Sequence, residues 1–115
     1  MILGRTCKRL LATAASVCIM NALPAYASTG TVYKRISGCD YFLVSSVQGY
    51  ALLEWYGGPD PDVGDTVRGK FETYGMHSLL VNDDDDEDNT LKVWVEDYWL
   101  SREDALEKLV DKCDD

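Results

Sequence analysis

Histidine is almost missing from this sequence: among 115 residues there is one, His77. Imidazole is the usual proton carrier near neutral pH, so any mechanism built on a histidine pair is excluded. A serine hydrolase would depend on His77 alone, and no G-x-S-x-G elbow accompanies it. Cysteine is scarce too, with four residues and no C-x-x-C pair, which excludes a zinc ribbon and a thioredoxin-like redox motif. No glycine-rich phosphate cradle occurs. No acidic residue precedes Asp40, and no apolar run is long enough to span a bilayer comfortably, since Asn21 interrupts the stretch from Leu10 to Leu23. Basic residues are outnumbered, 11 against 20 acidic ones.

What the first residues do contain is a pattern. Arg5, Lys8 and Arg9 precede the apolar stretch, which ends in Pro24-Ala25-Tyr26-Ala27. A basic start, a short apolar core and an A-x-A ending are the parts of a secretory signal. Residues 1–27 therefore read as a cleavable signal peptide, and residues 28–115 as a single small β-rich domain. Cys18 is poorly placed for lipid attachment, and Lys8-Arg9 lacks the arginine pair of a twin-arginine signal. The expected location is exported, periplasmic or secreted, with the signal's style suggesting a bacterial envelope.

Removing residues 1–27 takes three of the 11 bases and none of the 20 acids, leaving a net charge of −12. Such a domain is repelled by nucleic acid and by anionic membrane surfaces. A basic protein or an envelope component is the expected class of partner, although acidity also serves solubility. No cofactor is expected, nor a membrane span in the mature chain.

Only Cys39 and Cys113 survive the cleavage, 74 positions apart. In an oxidising compartment they read as one disulfide tying the domain's start to its end. A metal pair or a redox site is the rival reading, and neither has the ligand cluster or spacing it needs.

Alternation of apolar residues marks strands over 31–37, 40–47, 50–56, 66–74, 77–81 and 90–99. Val32 and Ile36 share one face of the first, Ala51, Leu53 and Trp55 one face of the third, and Leu91, Val93 and Val95 one face of the last. The run 66–74 alternates most cleanly, with Val67, Gly69, Phe71 and Thr73 facing one way. Gly69 has no side chain to pack there, which suggests a sharp bend or a close backbone neighbour. The segment 57–65, with two prolines, is a loop. The period changes after Leu100. Ser101 is a good N-cap, with Asp104 three residues on. Leu106, Leu109, Val110 and Cys113 then fall on one helical stripe.

The predicted class is mainly β: a small antiparallel barrel-like sheet of five or six strands, with one C-terminal helix covering an open end and one disulfide closing the whole. Residues 64–70, with Gly75 beyond, resemble the entry to an oligonucleotide-binding barrel of the S1 type. The resemblance implies architecture only, because the negative charge argues against nucleic-acid binding.

No residues are expected to be catalytic, and the domain reads as a noncatalytic binding module. The alternative is an acidic inhibitor or chaperone-like partner of a basic secreted protein. Tyr50, Tyr56, Tyr74 and Trp94 lie opposite the cleaner core faces of their strands and are the candidate ligand-binding residues. The carboxylates of Asp83, Asp84, Asp85, Asp86, Glu87 and Asp88 are the only candidates for a metal. They lack the alternating spacing, central glycine and closing glutamate of an EF-hand, so a solvated loop is the simpler reading. The signal reading makes the first testable prediction: the exported product has the mass of a chain starting at Ser28. A product retaining Met1, or lipidated at Cys18, would refute it.

Overall fold

The computed structural model describes residues 27–84, 86 and 89–114. The expected signal peptide, apart from Ala27, lies outside the described residues. Among the described residues six strands follow one another: β1 (Ser28–Arg35), β2 (Tyr41–Ser46), β3 (Gly49–Gly57), β4 (Thr66–Gly69), β5 (Gly75–Val81) and β6 (Leu91–Leu100). A helix, α1 (Arg102–Cys113), follows the last strand.

The strands form a closed barrel in the order β1-β2-β3-β6-β5-β4, every neighbouring pair antiparallel. Two three-stranded meanders, β1–β3 and β4–β6, therefore meet along the seams β1·β4 and β3·β6. An oligonucleotide-binding barrel has five strands, so the resemblance at residues 64–70 ends with the strand entry. Closure leaves no sheet edge to recruit another chain.

The interior is filled by side chains of alternating positions: Val32, Phe42, Val44, Ala51, Leu53, Val67, Phe71, Leu79, Leu91, Val93 and Val95. The expected inward faces of the third and last strands are thus present, with Trp55 packed partly against this core. A second, smaller cluster lies outside the barrel wall, where Leu43 and Leu52 meet Ala105 and Leu109 of the helix. The helix consequently lies along the outer face of β2 and β3 and does not cover a barrel end. The reason is in those two strands: Phe42-Leu43-Val44 and Ala51-Leu52-Leu53 are buried on both faces, and their outward leucines need a cover.

Three other expectations change in the structure. The strand expected over 66–74 stops at Gly69, whose φ is +152°; a Cβ there would meet Leu79 Cδ2 at 2.7 Å and Ser78 O at 2.9 Å. The bend read from Gly69 is real, and it ends the ladder with β5. Phe71 nevertheless reaches the interior from the turn. Ile36 does not share a face with Val32, because β1 shifts register against β2 between Val32 and Lys34, and Ile36 packs with the helix cluster. Val110 is half exposed, whereas Ala105 is fully buried. The buried stripe is centred on the Ala105–Leu109 line, and alanine lets the helix approach the wall closely.

Helix and barrel are fastened at both ends. Ser101 Oγ accepts the Asp104 amide proton at 3.1 Å, while Glu103 and Asp104 sit in the first turn and Lys112 in the last, as the helix dipole favours. At the far end Cys113 is bonded to Cys39, in the β1–β2 turn, with Cα atoms 5.5 Å apart. Lys108 and Lys112 pair with Asp97 and Glu96 of β6 at 3.7 and 3.4 Å, half-exposed contacts worth at most about 1 kcal/mol each. A helix of 12 residues does not persist alone in water, so it depends on these attachments. Replacing both Cys39 and Cys113 with Ala should lower unfolding free energy by about 4 kcal/mol at most on the chain-entropy model. Amide protection should fall in α1 before it falls in the barrel, as read by hydrogen exchange. A helix equally protected with and without the bridge would contradict this account.

Candidate functional site

Strict alternation from Leu91, Val93 and Val95 would carry the Asp97 carboxylate into the apolar interior. β6 avoids this by gaining a residue on β3 twice. One step from Leu53 to Leu52 is matched by two from Val95 to Asp97, and two steps from Leu52 to Tyr50 by three from Asp97 to Leu100. These are β-bulges, which re-aim side chains. Asp97 stays outside, beside Lys108, while Tyr98 packs against the barrel core and Leu100 goes under the helix.

Trp99 absorbs the remaining turn. Its φ is +60° and its side chain is 61% exposed. A bulky residue in the left-handed region costs roughly 1–2 kcal/mol. Gly49 makes the geometry possible from the facing strand: a Cβ there would meet Leu100 O at 2.8 Å and the Trp99 carbonyl carbon at 3.2 Å.

The bulge builds an aromatic rim at one end of the barrel. Tyr98 and Trp99 meet edge to face with centroids 5.4 Å apart, and Tyr74 tilts against Tyr98 at 4.7 Å. The Tyr74 hydroxyl donates to Asp97 Oδ1 at 3.4 Å. The charge of Asp97, and to a lesser extent burial, pushes the Tyr74 pKa above its ordinary value. Trp99 also forms one wall of an open cleft of about 490 Å³, lined further by Ser28, Thr29, Ser46, Gln48 and Glu72. Val47 stands fully exposed on its lip. Both oxygens of Glu72 are held from within the cleft: Ser28 Oγ donates to Oε1 at 2.6 Å and Ser46 Oγ to Oε2 at 2.7 Å.

No family model, curated protein or solved structure matches this chain.

The four aromatic residues singled out in the sequence are placed in three different settings. Tyr74 belongs to the rim. Tyr50 is half-buried with the helix cluster, edge-on to Tyr33 at 5.0 Å. Tyr56 and Trp94 are exposed on the outer wall, where Trp94 lies across from Glu54 on one side and Met76 on the other. Glu54 also faces Tyr41, whose phenol is pushed up to about 12 by burial first and by the Glu54 charge second.

The acidic segment opens on a defined turn, with Asp83, Asp84 and Asp86 exposed. Asn82 and Asp83 both have positive φ, and the Asp84 amide closes the turn on Val81 O at 3.0 Å. Consecutive left-handed residues are the signature of a type I′ turn, which Asn and Asp tolerate. Asp83 pairs with Arg68 at 2.9 Å. The Asp84 carboxylate accepts from the Asp86 amide at 3.0 Å and from Asn89 Nδ2 at 2.9 Å. Asp85, Glu87 and Asp88 lie outside the described residues. Among the described residues no three His, Cys, Asp or Glu side chains are grouped to hold a metal ion. His77 is half-buried, with Nε2 3.1 Å from Tyr74 O.

The sequence reading passed over Tyr98 and Trp99, yet a signal was present. Asp97 falls at an inward parity in an otherwise apolar strand, and only a bulge can reconcile the two. The strain at Trp99 is directly measurable. Trp99→Asn and Trp99→Val both remove the indole, so their difference isolates the backbone. Urea unfolding should find the Val variant less stable than the Asn variant by about 1 kcal/mol, because a β-branched residue resists positive φ. Equal stabilities would mean that the left-handed conformation stores no strain.

Proposed function

We propose that residues 28–115 are a noncatalytic binding module, exported to the periplasm or secreted, that recognises a component of the cell envelope through the aromatic rim. The observation carrying this reading is Trp99, a large aromatic side chain presented to solvent from a strained bulge beside a polar cleft. Strain of this kind persists where surrounding structure over-determines it, and it concentrates at binding sites. An exposed indole of no use to the core is a poor choice for a position that asparagine or glycine would fill without strain.

The chemistry around the rim supports binding over catalysis. Ser28 and Ser46 direct their hydroxyls to Glu72, and the His77 ring approaches a backbone carbonyl. These contacts make no hydroxyl–imidazole pair. Cys39 and Cys113 are bridged and offer no thiolate. The disulfide agrees with an oxidising compartment, and among the described residues no helix is long and apolar enough to cross a membrane.

The acidic balance favours a second reading, an acidic partner of a basic secreted protein, and salt separates the two. Envelope extract is passed over the immobilised purified protein and over its Trp99→Ala variant at low and high ionic strength. The rim reading expects capture that depends on Trp99 and survives high salt. Capture lost at high salt but indifferent to Trp99 would replace it with the acid-on-base reading. Capture indifferent to both would remove the rim from the function altogether.

A further inference from the structure

We propose that the cleft beside Trp99 is a saccharide site, taking one or two sugar rings of a neutral glycan. This rests on the rim reading above and names the chemistry of its ligand. A sugar ring has an apolar C–H face and a girdle of hydroxyls that both donate and accept. A complementary site needs an exposed aromatic plane and several neutral polar groups of mixed donor and acceptor character.

The cleft supplies that combination. Trp99 is its aromatic wall, backed by the edge-to-face contact with Tyr98, which fixes the indole's orientation. Ser28, Thr29, Ser46, Gln48 and Thr73 contribute hydroxyls and an amide. Cleavage before Ser28 sets the new α-amino group on a lining residue, and Glu72 is the one charged side chain of the cleft, its plane held by the two serine hydroxyls. Each carboxylate oxygen keeps a second lone pair, so a pair of adjacent sugar hydroxyls can donate to it without displacing either serine. Held this way, the acceptor costs little to organise on binding. An open cleft beside an exposed indole suits a small oligosaccharide lying across the rim.

A cationic side chain is the competing occupant, since Glu72 and the aromatic rings also suit arginine or lysine. Five neutral polar side chains around one carboxylate favour the saccharide. A site built for a cation would be expected to place more charge where the ligand sits. The two occupants differ in their response to salt and to loss of the Glu72 charge.

The test is a titration of the purified protein with chitotriose, with maltotriose and with tetralysine, followed by the indole N–H resonances. Trp55 is an internal control, because its Nε1 donates to Pro59 O at 3.3 Å away from the rim. One of the trisaccharides should move the Trp99 resonance saturably at millimolar concentration and leave Trp55 in place, in low salt and in high salt alike. Trp99→Ala should abolish binding, read then from backbone amides of residues 46–48. Glu72→Gln, which keeps an acceptor oxygen but loses the charge, should weaken it about tenfold or less. An unmoved Trp55 resonance in each variant shows that the barrel is intact. Failure of both trisaccharides to shift Trp99 overturns the proposal. So does a shift by tetralysine that high salt or Glu72→Gln erases, which would make the cleft a cation site. If extract capture depends on Trp99 but neither trisaccharide binds, only the saccharide assignment falls. If a trisaccharide binds while capture ignores Trp99, the functional reading falls and the site remains.

Discussion

A carboxylate cannot enter an interior packed with leucine, valine and phenylalanine, and most of what is distinctive in this molecule follows from that at Asp97. An unpaired charge in such a place would cost several kcal/mol, far more than the few tenths to 1 kcal/mol of ladder interactions that a bulge disturbs. The final strand therefore breaks its own alternation on both sides of Asp97. Breaking it turns Tyr98 inward, swings Trp99 into solvent and delivers Leu100 to the outer wall. The helix begins two residues later and can dock only where Leu100 has taken the chain. The exposed rim and the helix position are thus two outcomes of excluding a single charge.

The helix side of that outcome has its own logic. β2 and β3 each carry three consecutive buried residues, the only way to satisfy a core on the inside and a helix on the outside at once. Small Ala105 allows a close approach, and Leu109 packs in one buried cluster with Leu43 and Leu52. The ion pairs of Lys108 and Lys112 lie at the border of this contact, where they orient the helix more than they stabilise it. The acidic surface elsewhere is free to be acidic because none of this packing depends on it.

Much of the fold was legible in the sequence, for physical reasons that differ by element. The inward faces of β3 and β6 were readable because Ala51, Leu53, Leu91, Val93 and Val95 alternate without interruption. The helix start was readable from Ser101, and the disulfide from there being two cysteines in residues 28–115. The length of β4 was not, since Phe71 continues the alternation after Gly69 has bent the chain out of the ladder. The helix site is not visible in alternation alone, because the runs at 42–44 and 51–53 belong to strands buried on both faces. The rim was missed for a related reason. Period-two reading assigns Trp99 a face, whereas a bulge assigns it a direction that no period contains. Of the candidate aromatics, Tyr74 alone shares the rim with Trp99, and it does so through Tyr98, whose inward turn only the bulge produces.

The placement of the two bridged sulfurs bears on how the molecule is assembled. Cys39 lies in the first turn of the barrel and Cys113 on the last residue of the helix, so they meet where the helix docks on β2 and β3. A bond formed before the helix docks and one formed after it are the same bond. With no other cysteine in residues 28–115, the domain has one oxidised form and no mispaired isomer to be resolved. Forming the bridge therefore calls for an oxidant and has no need of an isomerase.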